Sequence, residues 1–118
     1  MLNLNHKNLD AWKVSIKLTT EIYKLTKNYP KEELFVLVSQ MRRAAISISC
    51  NLAEGSSRVS AIERKRFYEI SISSLVELDT QLEISKELEY LNTDNSEIIS
   101  KLTNHLFALL SNLKKKTN

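Results

Sequence analysis

Few residues in this chain have the chemistry of a catalyst or a metal ligand. There are two histidines, His6 and His105, and one cysteine, Cys50. A di-iron site in a helical bundle needs Glu-x-x-His pairs that face inward. Asn3 and Leu102 stand at the glutamate places before His6 and His105, so the motif is missing at both. A cysteine nucleophile needs a base held by an acid, and no such arrangement can be read for Cys50. Cys50 therefore reads as inert packing, His105 as a partly buried structural residue, and His6 as part of a loose N-terminus. Glu83 and Glu87 stand one helical turn apart, the pattern of a solvated helix face. With a single glycine the chain has no glycine-rich phosphate loop. The expectation is a protein without enzymatic activity, cofactor or metal.

Charge offers a different chemistry. The net charge is +3, but it is unevenly spread. Residues 1–39 carry +2, 40–66 carry +4, 67–99 carry −7 and 100–118 carry +4. Arg42, Arg43, Arg58 and the run Arg64-Lys65-Arg66 make the second of these segments basic. Lys13, Lys17 and Lys24 form a second basic stripe at helical spacing. Such clusters suit phosphate, which gives affinity with little sequence specificity. A polar stripe runs beside them: Gln40, Arg43, Ser47, Asn51 and Glu54 fall along one side of a helix. Polar groups close to an inner face need partners. The stripe reads either as a hydrogen-bonded network at a bundle end or subunit contact, or as part of an arginine platform for RNA. Arg42 and Arg43 are the arginines best placed to pair with acids across a subunit contact.

The elements that position these residues follow from composition and period. The chain has 118 residues, 42% of them hydrophobic, which fits one domain with a real core. One glycine and one proline are too few for the turns of an all-β domain. Apolar spacing predicts four helices, at about 9–26, 31–54, 61–90 and 96–113. Short connections make them antiparallel neighbours, so the fold expected is all-α, a single up-down-up-down four-helix bundle over 1–118. Trp12, Ile16, Thr19 and Tyr23 mark one apolar row of the first helix, flanked by Leu18, Ile22 and Leu25. Leu34, Leu37, Val38, Met41, Ala44, Ala45, Ile48 and Leu52 mark the inner row of the second. Pro30 suits the start of the second helix. Gly55 is placed as its C-terminal cap, and Ser60-Ala61-Ile62-Glu63 as a capping box, which sets a turn at 55–59. Residues 92–96 read as a loop, and residues 114–118 as a frayed end.

Apolar surface exceeds what one small bundle buries. Phe35, Val36 and Ile46 lie off the inner stripe of the second helix. Phe67, Tyr68, Ile70, Ile72, Leu75, Val76 and Leu78 occupy more than one face of the third. Ser71, Ser73 and Ser74 leave room there for another helix. A helix that is apolar on two sides is buried on two sides, which points to a homo-oligomer. The longest apolar run, Leu34 to Val38, is far short of the ~20 residues of a spanning helix. Neither a signal-peptide core nor a cysteine pair is present, so the expected location is cytoplasmic and not in a membrane.

The run Gln40-Met41-Arg42-Arg43-Ala44-Ala45 … Asn51-Leu52-Ala53-Glu54-Gly55-Ser56-Ser57-Arg58 resembles the signature of a bacterial family encoded in intervening sequences of 23S rRNA genes. Trp12, Tyr23, Thr26, Tyr29-Pro30 and Glu33 match its first helix and turn; Glu63, Phe67, Ser74-Leu75 and Glu77 match its third helix. Ser49-Cys50 stands where the family often has Pro-Ser, and Ser73 where glycine is frequent. The resemblance implies a four-helix subunit in a ring-like homopentamer, related to the accessory variability proteins of diversity-generating retroelements. Those bind a reverse transcriptase and its RNA. Helical RNases of the HEPN class share the architecture but place an arginine shortly before a histidine, and neither histidine here has one. The function expected is structured-RNA binding through Arg42, Arg43, Arg58, Arg64, Lys65 and Arg66, with Lys13, Lys17 and Lys24 as a secondary stripe. The alternative is a protein-binding adaptor, such as a reverse-transcriptase accessory subunit, without direct RNA affinity.

Overall fold

A computed structural model describes residues 1–118 and contains no strand. Four helices make up the body: α1 (Asp10–Thr26), α2 (Ser39–Ser56), α3 (Ala61–Glu87) and α4 (Thr93–Lys116). A 3-10 turn, Asn5–Asn8, precedes α1 and leans on α2. Packing runs α1 to α2, α2 to α3, α3 to α4 and α4 back to α1, the up-down-up-down bundle expected from the short connections. The body measures 43 × 24 × 22 Å.

The buried core contains Leu18, Ile22, Met41, Ile48, Leu52, Leu78, Leu106 and Leu110, all fully shielded. On α1 the buried row is Ala11, Ser15, Leu18, Ile22 and Leu25, so the predicted flank of Leu18, Ile22 and Leu25 faces the core and the predicted row does not. Trp12 and Thr19 are half-buried, while Ile16 and Tyr23 are exposed. The predicted row followed the largest side chains; small Ala11 and Ser15 face inward because α2 comes close there. The Ser15 and Ser49 hydroxyls bond each other at 2.8 Å, and Thr19 donates to the Ala45 carbonyl at 3.3 Å.

Other boundaries differ for local reasons. The approach to α2 is a 3-10 turn at Lys31–Glu33 and then a π-helical turn at Leu34–Val38. A π turn accommodates an extra residue, which shifts the register. Leu34 is thereby left outside at 47% exposure while Leu37 and Val38 are buried. Gly55 is not a cap. It lies inside α2 without a positive φ, and α2 runs on to Ser56. Its role is packing: a Cβ there would sit 2.8 Å from Phe67 Cβ and 3.0 Å from Tyr68 Cε1. Ser60 does cap α3, accepting from the Glu63 N–H at 3.3 Å.

The end of α3 carries the left-handed residue. Glu89 has φ 62°. The Tyr90 N–H donates to the Ser85 carbonyl at 2.9 Å and the Glu89 N–H to Lys86 at 3.0 Å. This pair of bonds is a Schellman motif with glutamate in the glycine place, and it stops α3 at Glu87, short of 90. Helix α4 starts at Thr93, earlier than predicted, because Asn92 and Asn95 form a reciprocal capping box at 2.9 and 3.0 Å. It also continues to Lys116, so Lys114–Lys116 are helical and not frayed. Three cations suit the negative end of a helix dipole.

Candidate nucleic-acid interface

Antiparallel packing sorts the charge by ends. The start of α1, the α2–α3 turn and the end of α4 meet at one end of the bundle. Lys114 reaches Glu69 there at 3.5 Å, and Ser56 Oγ bonds the Tyr68 hydroxyl at 3.2 Å. This end collects Lys7, Lys13, Arg58, Arg64, Lys65, Arg66 and Lys114–Lys116. The α1–α2 and α3–α4 connections meet at the other end, where Tyr90 donates to Glu33 Oε2 at 3.0 Å and its ring lies tilted against that of Tyr29, centres 4.8 Å apart. Glu32, Glu33, Glu87, Glu89 and Asp94 outnumber Lys27, Lys31 and Lys86 there and leave that end net acidic. Burial pushes the Tyr29 hydroxyl above its ordinary pKa. Desolvation and then the bond to Glu33 raise Tyr90 as well.

The predicted arginines do not form one platform. Arg42 lies toward the acidic end: its Nε donates to Thr26 Oγ1 at 3.0 Å and its guanidinium covers the Tyr23 ring at 4.4 Å. It is tied to α1 of its own subunit, not to an acid. Arg43 is exposed, with neither a hydrogen bond nor an ion pair. Sixteen residues separate Arg42 from Arg58, roughly 24 Å at the α-helical rise. Arg58 and Arg64 shape the α2–α3 turn. Arg58 sits over the Phe67 ring at 4.9 Å and 3.7 Å from Glu54. Arg64 Nη1 donates to the Arg58 and Val59 carbonyls at 3.1 and 2.6 Å. Lys65 and Arg66 are exposed and have neither a hydrogen bond nor an ion pair. They are the unengaged members of the predicted set at this end. Lys7 and Lys114–Lys116 were missed because the sequence offers no signal that they join the α2–α3 turn.

The polar stripe of α2 is mostly occupied within the subunit. Asn51 Nδ2 donates to the Ser47 carbonyl at 2.8 Å and to Ser47 Oγ at 3.0 Å, and Ser47 Oγ bonds Ser74 Oγ at 2.9 Å. The Ser71 hydroxyl donates to the Ile48 carbonyl at 3.0 Å. Ser71 and Ser74 therefore admit α2, while Ser73 is exposed. Gln40 and Glu54 are exposed at either end of the stripe.

Lys13, Lys17 and Lys24 line the outer face of α1, and Lys24 lies 3.5 Å from Glu21. The remaining chemical groups are dispersed. Cys50 is exposed and so does not pack. His105 is exposed, not partly buried. His6 is held by the edge of Trp12, ring centres 5.4 Å apart, so the N-terminal stretch is not loose there. No group of three or more His, Cys, Asp and Glu side chains is placed to hold a metal ion. No helix is long and apolar enough to cross a membrane.

Comparison with known proteins agrees with this geometry. A solved protein of unknown function from the S23 ribosomal protein family of Bacteroides thetaiotaomicron has the same fold, with a TM-score of 0.81. The two are 23% identical, over 90% of this chain and 96% of that one. No curated protein matches the sequence. The family model of the 23S rRNA-intervening sequence protein matches residues 7–112. Because that match spans most of the chain, the chain belongs to the 23S rRNA-intervening sequence protein family.

Proposed function

We propose that this protein is a non-enzymatic, self-associating cytoplasmic helical bundle that binds structured RNA through its basic end. The observation that carries the reading is the convergence of Lys65, Arg66 and Lys114–Lys116, from two helix termini, on the end opposite the acidic one. Cations gathered from separate segments give an extended positive field for a phosphate backbone. Arg58 and Arg64 hold the turn that presents Lys65 and Arg66. The homopentamer implied by family resemblance would repeat this surface around a ring.

The test is an RNA titration over salt beside the charge-reversed variant K65E/R66E. The expected result is binding that weakens steeply with salt and is lost in a variant of unchanged mass. Salt-independent binding, or binding untouched by the reversal, overturns the reading. An adaptor reading draws on a different surface. Val36, Ile84 and Leu88 are exposed beside Gln81, whose buried Oε1 has no hydrogen-bond partner. Absence of RNA binding at low salt shifts the function to that surface, with a reverse transcriptase as one candidate partner.

A further inference from the structure

We propose that the groove between α3 and α4 receives the outer face of α1 from a second copy of the chain; this rests on the self-association reading above. The groove holds about 390 Å³. Leu75, Leu82 and Ile99 form its floor, and Val76 and Phe107, 50% and 48% exposed, form its walls. Its rim carries Asp79 and Glu83, one turn apart on α3 and without an ion-pair partner. Like charges at this spacing repel, and a cation relieves them. Lys86 also lines the groove but pairs with neither carboxylate. RNA is repelled from such a face.

The backbone narrows the occupant further. Helices α3 and α4 satisfy their own N–H and C=O groups, so an extended segment would find no partners for its backbone here. A helix brings its backbone bonds with it. The groove follows α4 from Ser96 to Phe107, about 16 Å or three turns at the α-helical rise. The outer face of α1 has the complementary chemistry. Lys13 and Lys17 are exposed, unpaired and one turn apart, the same spacing as Asp79 and Glu83. Ile16, 41% exposed, supplies apolar contact for Val76 and Phe107. The joined surfaces are different, so the contact is head-to-tail and repeats from copy to copy until a ring closes. Lys13 and Lys17 of the predicted secondary basic stripe are on this account a subunit contact.

The experiment compares masses by light scattering for the wild type, D79K/E83K, K13E/K17E and the four-fold charge swap. Circular dichroism checks that each is folded. Each double reversal is expected to raise the subunit dissociation constant on the order of tenfold or more. The four-fold swap, which restores opposite charges across the contact, is expected to recover the oligomer. An oligomer indifferent to both reversals overturns this inference and leaves self-association standing. A monomeric wild type overturns self-association and this inference with it. Failure of the four-fold swap to recover the mass, or loss of RNA binding in K13E/K17E at unchanged mass, also overturns the contact.

Discussion

Substituting Gly55 by alanine and by asparagine separates two roles that a glycine can have near a helix end. In a cap with positive φ, asparagine is the best-tolerated replacement and alanine is worse. At a packed position inside a helix the order reverses, because size decides. An added Cβ at residue 55 lies 2.8 Å from Phe67 Cβ, an atom fixed to the α3 backbone. It also lies 3.0 Å from the ring of Tyr68, which is buried and bonded to Ser56. Neither neighbour can swing aside, so α2 and α3 must separate. Overpacking of this kind costs about 1–3 kcal/mol. Alanine recovers about 1 kcal/mol of that through its helix propensity. The expected net losses are about 1 kcal/mol for G55A and about 2–3 kcal/mol for G55N. For a chain of this size that is about 4 °C of Tm per kcal/mol. Thermal and urea denaturation followed by circular dichroism, at one fixed protein concentration, reads both variants. A G55N protein more stable than G55A, or a G55A protein more stable than wild type, refutes the packing argument.

Three further variants test local features of the same scaffold. E89G removes the side chain from the left-handed position after α3 and is expected to stabilise the protein by about 1 kcal/mol; a fall in urea midpoint contradicts the Schellman assignment. Tyr29 and Tyr90 are both held above the ordinary value of 10.0, so the unfolded chain loses these protons first. Their contribution is complete below pH 10 and is lost as pH rises through the folded-state values, so the urea midpoint should fall in that window. Y29F/Y90F should flatten that fall, and an unchanged slope rejects the assignment. Y29F alone should leave stability at pH 7 nearly unchanged, because the Tyr29 hydroxyl has no hydrogen-bond partner to lose.

The contrast between Gly55 and Glu89 shows where local reading stops. A lone glycine followed by a Ser-x-x-Glu motif has the local signature of a cap, and Ser60 does cap α3. What fixes Gly55 is the approach of Phe67 and Tyr68 from the next helix, which no local pattern reports. Glu89 has no local signature at all. Its φ of 62° is accepted because the Tyr90 ring is anchored on Tyr29 and Glu33 across the bundle. The faces of α1 moved for the same reason, since burial of Ala11 and Ser15 depends on how close α2 comes.

Sequence alone determined the helical class, the number of helices, their order and most of the core of α2. Those properties follow from apolar period and chain punctuation, which act within one element. The basic residues were also legible by type, but not as a site. Residues 42–43 and 58–66 are neighbours in the chain, yet α2 holds them at opposite ends of the bundle. Residues 58–66 and 114–116 are far apart in the chain, yet antiparallel packing gathers them at one end. The same packing left an acidic groove between α3 and α4. Electrostatic fields sum over distance in space and not along the chain, so only the tertiary structure decided which charges act together.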